Sequence, residues 1–148
     1  QARVEALAAI LPQFDNNIAD EGVPVDGGLT VYPATLGGAP AGVAVETFSD
    51  NGFSGRITIL AGFAPDGAVT GFRVLQHAET PGLGARMGEW FGAEGTSHDI
   101  SGSTKELSVK ADGGDVDAIT GATITSRAFL EALNKARVAY NDYQSQQK

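Results

Sequence analysis

The chain opens with apolar residues at helical spacing. Val4, Leu7 and Leu11 fall on one face, so the pattern predicts a helix over Ala2–Leu11, and Pro12 ends it. The stretch that follows, to about residue 28, is polar and irregular, and it predicts no regular element.

Short apolar runs rich in β-branched residues come next, separated by turn signals. Asn51-Gly52 and Asp66-Gly67 are dipeptides typical of tight turns between antiparallel strands. Because the runs lie close together along the chain, they predict an antiparallel meander. The predicted strands are Leu29–Pro33, Gly42–Phe48, Arg56–Phe63 and Val69–Leu75.

Loops dominate the middle of the chain. Pro and Gly residues after the last predicted strand interrupt both helical and strand patterns. In chain order we expect a loop over 77–84, a short helix over Ala85–Phe91, a mostly irregular stretch over 92–104 and a short strand over Leu107–Lys110.

An amphipathic helix closes the chain. The pattern predicts it from Ala128 to about Tyr143, with fraying after Asn141. Together with the first helix and the strands, it indicates an α+β fold in which an antiparallel-rich mixed sheet packs with N- and C-terminal helices. The apolar face of the last helix consists of Phe129, Leu133, Ala136 and Tyr140.

Composition narrows the class of protein. The 148 residues are 42% hydrophobic and 19% charged, so we expect one globular domain over residues 1–148. The net charge of -8 argues against a nucleic-acid partner, because contacts to phosphate need clustered Lys and Arg. With no Cys and only His77 and His98, the sequence excludes thiolate and Fe–S chemistry and a multi-His metal site, and we predict no bound metal.

A hydroxyl-rich run, Thr120-Gly121-Ala122-Thr123, precedes the last helix. Its small residues allow the backbone to approach a bulky ligand. A helix start also offers unpaired N–H groups and a positive dipole end, which suit a phosphate. The alternative is a helix cap, in which Thr125 or Ser126 caps the final helix and Thr123 is merely nearby. Spacing alone leaves both roles open.

The second candidate segment is the loop Glu79–Gly84. It combines a carboxylate, a hydroxyl, a rigid Pro and a Leu between two Gly, so its backbone and Leu83 are suited to pressing against a flat ring. The alternative is a tight turn that joins a strand to a helix. His77 beside Glu79 offers an acid and a base, but nothing completes a catalytic set, so we predict no catalytic residue.

Residues 117–123 (DAITGAT) match the flavinylation pattern D-x-x-(S/T)-G-A-(T/S) of FMN-binding domains. With this motif and the run HAETPGLG at 77–84, the chain resembles the FMN-binding domain of the G subunit of Rnf-type ion-translocating electron-transport complexes. The related C subunit of the sodium-pumping NADH:quinone reductase is the nearest alternative. Three further segments favour the G subunit: 52–55 (GFSG), 112–115 (DGGD) and 124–127 (ITSR).

The resemblance implies a cofactor and its site. FMN would be bonded through its phosphate to Thr123 by a flavin transferase that takes FMN from FAD. The loop Glu79–Gly84 would pack along the ring and ribityl chain, and Lys110 would lie near the phosphate. The implied cofactor-binding residues are Thr123, Thr120, Gly121, Ala122, Glu79, Thr80, Gly82, Leu83, Gly84 and Lys110.

The resemblance also implies a cellular role. The chain would be an electron-carrying subunit that shows no turnover alone and exchanges electrons with other subunits of the complex. An N-terminal transmembrane helix, which this chain lacks, would anchor it to the cell inner membrane, with the domain facing the periplasm or the outer surface. Two other classes stay open: a non-covalent FMN- or heme-binding module, and a structural accessory domain without a cofactor.

Overall fold

The computed structural model describes residues 2–82 and 84–146. In these residues, two α-helices enclose five strands and a long, loop-rich segment that contains one short α-helix and two 3₁₀ turns. The elements are α1 (Ala2–Ile10), β1 (Val23–Val25), β2 (Leu29–Leu36), β3 (Ala39–Gly52), β4 (Gly55–Phe63), β5 (Val69–Gln76), α2 (Met87–Trp90) and α3 (Thr123–Gln146).

The five strands form one sheet in the order β1-β2-β3-β4-β5, and every neighbouring pair is antiparallel. In the register, Val45 lies opposite Val31 on one side and Ala61 on the other. The predicted meander and the α+β class are therefore confirmed. The sequence missed β1, because this strand has only three residues, includes Pro24 and is largely exposed.

The sheet is covered on both faces, which explains why β4 reads as an almost continuous apolar run. On one face, side chains such as Val45, Ile59 and Phe63 pack with α3. On the other face, Ala44 and Leu60 pack with α1. Because side chains alternate along a strand, neighbouring residues of β4 serve different cores.

Helix α3 begins at Thr123, five residues before the predicted start, and it continues to Gln146 past the predicted fraying point. The first turn contains β-branched Thr and Ile residues, which have lower helix propensity, so the pattern favoured a later start. Contacts outside the helix hold this turn. The Thr125 hydroxyl donates to Glu79 at 2.5 Å, and the Ser126 hydroxyl accepts from the Ile119 N–H at 2.8 Å.

The predicted strand over Leu107–Lys110 is wrong. Only Val109 forms a bridge, to Val116, and that bridge is parallel and isolated. The Asn134 side chain of α3 satisfies the N–H and the C=O of Leu107, so a side chain replaces a strand partner there. The predicted helix over Ala85–Phe91 is a 3₁₀ turn followed by α2, and residues 92–104 are irregular as expected.

Candidate functional site

Three hydroxyl side chains lie in the first turn of α3, and the structure separates their roles. The Thr125 and Ser126 hydroxyls are buried, and both are engaged in hydrogen bonds. Both residues lie inside the helix, so the alternative in which either of them caps it does not hold. Thr123 is half-buried, and within residues 2–82 and 84–146 its hydroxyl makes no hydrogen bond. Thr123 is thus the hydroxyl of this turn that is available for other chemistry.

A cavity of about 300 Å³ opens beside Thr123. This volume lies at the lower end of the range for small-molecule sites. Three separate segments build its wall: the turn between β3 and β4, the loop after β5, and the start of α3. The lining residues are Phe53, Thr80, Gly84, Gly121, Ala122, Thr123, Ile124 and Thr125.

Backbone close to the helix start shapes this cavity. Gly121 has φ of 76°, a left-handed conformation that lets the chain turn sharply into α3. Gly84 packs directly on the first turn of α3: a Cβ atom at this position would lie 2.5 Å from the Thr125 hydroxyl oxygen. The loop after β5 can lie against the helix only because residue 84 lacks a side chain.

Glu79 joins the three segments. Its side chain is 4% exposed, and its carboxylate accepts hydrogen bonds from the Phe53 N–H at 2.9 Å and the Ser54 N–H at 2.8 Å. It also accepts the hydroxyl proton of Thr125 in the first turn of α3. Three donors therefore satisfy a buried carboxylate that belongs to the loop after β5.

A second, more polar cavity of about 420 Å³ lies on the other side of Thr123. Inside it the Lys110 ammonium pairs with the Asp117 carboxylate at 2.9 Å. A hydrogen bond from the Ser97 hydroxyl and this Lys110 contact lower the pKa of Asp117 below its ordinary value. The lining residues are Trp90, His98, Lys110, Ala111, Asp117, Ala118, Thr120 and Thr123.

Thr123 lines both cavities, and it is the first residue of a long helix. The N–H groups of a first helical turn have no acceptor within the helix, and they carry the positive end of its dipole. On the polar side the charge of Lys110 is offset by its partner Asp117, so the helix start provides the unbalanced positive potential. The electrostatic setting at Thr123 therefore favours an anion such as a phosphate.

Comparison with known proteins shows which family the chain belongs to. The FMN-binding domain family matches residues 52–138, a segment that contains both cavities and most of α3. The chain belongs to the FMN-binding domain family.

Curated relatives of this FMN-binding domain share one description: each is the G subunit of an ion-translocating oxidoreductase complex. The protein of Aliivibrio fischeri is 40% identical over 122 residues, which is 80% of this chain and 58% of the relative. That of Shewanella baltica is 38% identical over 125 residues, 82% of this chain and 59% of the relative. That of Pseudoalteromonas atlantica is 38% identical over 114 residues, 74% of this chain and 53% of the relative. The chain spans somewhat less than three fifths of the length of these relatives, and its resemblance to the G subunit is confirmed.

The residues at the two cavities fit FMN. A flat ring needs apolar walls, and Phe53 and Ile124 are 68% and 49% exposed at the first cavity. A phosphate needs N–H donors and a positive potential, which the start of α3 provides at Thr123, and Lys110 with its partner Asp117 lies at the same cavity. The absence of a side chain at Gly84 lets the loop after β5 pack against the helix start and close one wall of the first cavity. The donor set therefore agrees with an FMN-binding domain.

The structure brings most of the predicted site residues together. Thr80, Gly84, Gly121, Ala122 and Thr123 line the first cavity, while Thr120 and Lys110 join Thr123 at the second. Glu79 is buried behind the first cavity and binds its wall rather than lining it. Gly82 is exposed outside the lining of both cavities, and Leu83 lies outside the described residues.

The prediction of site residues missed several aromatic and apolar side chains. Phe53 was used only as part of a resemblance, although its position between two close glycines signals an exposed turn. Trp90 packs against the core but is half-buried: its ring stacks on His98 at 3.8 Å between centroids, and its indole N–H donates to the Asp117 carbonyl. Periodicity could not reveal these partners, because they lie on separate loops.

We expect Gly84→Ala to destabilise the domain by about 1–3 kcal/mol, since the new methyl group would overlap Thr125 and Glu79. Gly88→Ala is the matched control, because a Cβ there meets only Val74 at 3.9 Å. Urea unfolding of the two variants measures the difference. Equal free energies of unfolding would show that the loop does not depend on the missing side chain at residue 84.

Proposed function

We propose that this chain is a single electron-transfer domain that carries FMN bonded through its phosphate to Thr123. The observation that supports this most is the position of the Thr123 hydroxyl. It has no hydrogen-bond partner in the described part of the chain, it opens α3, and it lies between an apolar and a polar cavity. It is also the last hydroxyl of the flavinylation pattern at residues 117–123.

The attachment exchanges the phosphoanhydride bond of FAD for a phosphoester bond. The Thr123 oxygen forms a bond to the FMN phosphorus of FAD, the bond to the AMP phosphate breaks, and AMP leaves. The hydroxyl proton must go to a base, and an alcohol is too weak a nucleophile to attack unaided. Within residues 2–82 and 84–146 no base contacts the Thr123 hydroxyl, so a flavin transferase would supply it.

The protein residues would hold and orient the cofactor. Thr80, Gly84 and Gly121 provide backbone and hydroxyl contacts at the first cavity, and Lys110 provides charge on the phosphate side. When bound, FMN supplies one-electron redox chemistry. Phe53 and Ile124 would exclude water from one side of the ring.

The partners follow from the relatives. Their shared description, the G subunit of an ion-translocating oxidoreductase complex, supports a role within such a complex, of Rnf type, with electrons passing to and from its other subunits. A membrane anchor in the complete protein and a position facing the periplasm or outer surface belong to the same proposal. Within the described residues, no helix has both the length and the apolar character required to cross a bilayer.

The intact mass of denatured protein tests this function. The chain is produced with and without a co-expressed flavin transferase, and we expect a gain equal to FMN minus water only with the transferase. A mass that stays unchanged beside an active transferase would overturn the covalent attachment. Flavin or heme released on denaturation would then favour a non-covalent site, and no released cofactor would favour an accessory role.

A further inference from the structure

Phe53 is the most exposed of the large apolar side chains in the described part of the chain, at 68%. It lies in the turn that joins β3 to β4, and it lines the first cavity together with Thr123 and Ile124. Leaving an aromatic ring in water gives up the free energy that its burial would release. A large apolar side chain kept at the rim of a cavity is therefore a candidate contact for a flat ligand.

The turn that carries Phe53 is held from outside the hairpin. Regular pairing of β3 with β4 stops at Ser49 and Ile57 and resumes only with Gly52 and Gly55. Beyond that point, the Phe53 and Ser54 N–H groups point to the Glu79 carboxylate at 2.9 and 2.8 Å. The turn is thus anchored by a side chain of the loop after β5.

The Glu79 carboxylate also accepts a hydrogen bond from α3. Thr125, two residues after Thr123, donates its hydroxyl proton to the Glu79 oxygen that also accepts from Phe53. All three donors are uncharged, and Glu79 is nearly inaccessible to solvent. The position of Glu79 therefore sets the distance between the β3–β4 turn, which carries Phe53, and the start of α3.

We propose that Phe53 covers one face of the flavin ring, and that Glu79 is the positioning residue that fixes Phe53 relative to Thr123. This inference rests on the proposed function, since it takes Thr123 as the attachment point. It assigns roles that the flavinylation pattern does not contain: Phe53 lies 70 residues and Glu79 lies 44 residues before Thr123.

Glu131 provides a matched control for Glu79. It also ties β3 to α3, because its carboxylate accepts hydrogen bonds from Ser49 and Asn51. It lines a groove on the outer side of α3, and neither Phe53 nor Thr123 belongs to that groove. Replacing either glutamate by Gln weakens a carboxylate tie to α3, but only Glu79 contacts the turn that carries Phe53.

Amide hydrogen exchange tests the positioning role in flavin-free protein. We expect Glu79→Gln to speed exchange of the Phe53 and Ser54 amides by about tenfold or more, because hydrogen bonds to a charged acceptor are strong. Glu131→Gln should leave these two amides unchanged. Unchanged exchange in Glu79→Gln, or the same increase in both variants, would overturn the positioning role.

Iodide quenching of flavin fluorescence tests the covering role in protein loaded by the transferase. We expect the quenching constant to roughly double in Phe53→Ala, because a second face of the ring becomes accessible, and to rise similarly in Glu79→Gln. Phe53→Tyr should retain the wild-type value. Val138→Ala removes an exposed apolar side chain outside both cavities, and it should also retain the wild-type quenching constant.

The two tests separate the possible failures. An unchanged quenching constant in a Phe53→Ala sample whose mass shows attached FMN would overturn the covering role alone. Wild-type protein that gains no FMN mass would overturn the proposed function and the covering role with it. The exchange experiment would still decide whether Glu79 positions the turn, because it needs no flavin.

Discussion

Thr123→Ala is expected to remove all covalent flavin while leaving the fold intact. The substitution deletes the one hydroxyl of the first turn of α3 that makes no hydrogen bond within the described residues, so it deletes the acceptor for the phosphoester. The cost in stability should be at most about 1 kcal/mol, the usual value for losing a helix-terminal hydroxyl. Intact mass after co-expression with the transferase measures the attachment, and urea unfolding measures the stability.

Thr123→Ser is the control for this experiment. It keeps a hydroxyl at the same Cβ and satisfies the flavinylation pattern, so we expect the FMN mass to return. Thr125 and Ser126 should not accept FMN in place of residue 123, because their hydroxyls are buried and donate hydrogen bonds to Glu79 and to the Ala122 carbonyl. An FMN mass that persists in Thr123→Ala would place the attachment at another residue and contradict the assignment.

Strands β2 to β5 and the two outer helices could be predicted because their pattern is local. In β4 the apolar run Arg56–Phe63 lies within one residue of the observed strand, and the turn signal at residues 51–52 falls where β3 ends. A run of apolar, β-branched residues bounded by turn signals is written in consecutive residues, so no distant contact is needed to recognise it.

The first turn of α3 could not be predicted in the same way. Its β-branched residues disfavour a helix, and the contacts that stabilise it come from Glu79, 46 residues earlier, and from Ile119 in the preceding loop. Tertiary hydrogen bonds thus override local propensity at the place where the attachment residue lies. The hydrogen-bond partner of the Phe53 N–H could not be predicted for the same reason, because the Glu79 carboxylate lies 26 residues further along the chain.

The site therefore has two parts: a motif of consecutive residues, and the tertiary contacts that support it. Thr123 and its small neighbours could be identified because a flavinylation pattern is written in consecutive residues. The loop Glu79–Gly84 could also be identified, but the hydrogen bonds of Glu79 to Phe53 and Thr125 could not, because these residues meet only in the folded chain. Variants of the support should change how the ring is covered, whereas variants of Thr123 should decide whether it is attached.

Phe129→Ala is expected to cause a large loss of stability, about 3–5 kcal/mol. The Phe129 ring is fully buried, stacks on Phe91 with 4.3 Å between centroids, and meets the edge of Phe72 at 5.0 Å. Removing it leaves a cavity where α3 packs between the sheet and the segment around α2. Thermal unfolding followed by circular dichroism should show a fall in Tm of roughly 10 °C.

Phe53→Ala is the matched control, because it removes the same atoms from an exposed position. Its free energy of unfolding should change by no more than about 0.5 kcal/mol, as is usual for surface sites. Equal losses in the two variants would contradict the burial assigned to Phe129. Because Thr123 lies six residues before Phe129 on the same helix, docking of α3 through this aromatic cluster also holds the attachment residue against the cavity. A stable Phe129→Ala variant would contradict this role of the aromatic cluster in docking α3.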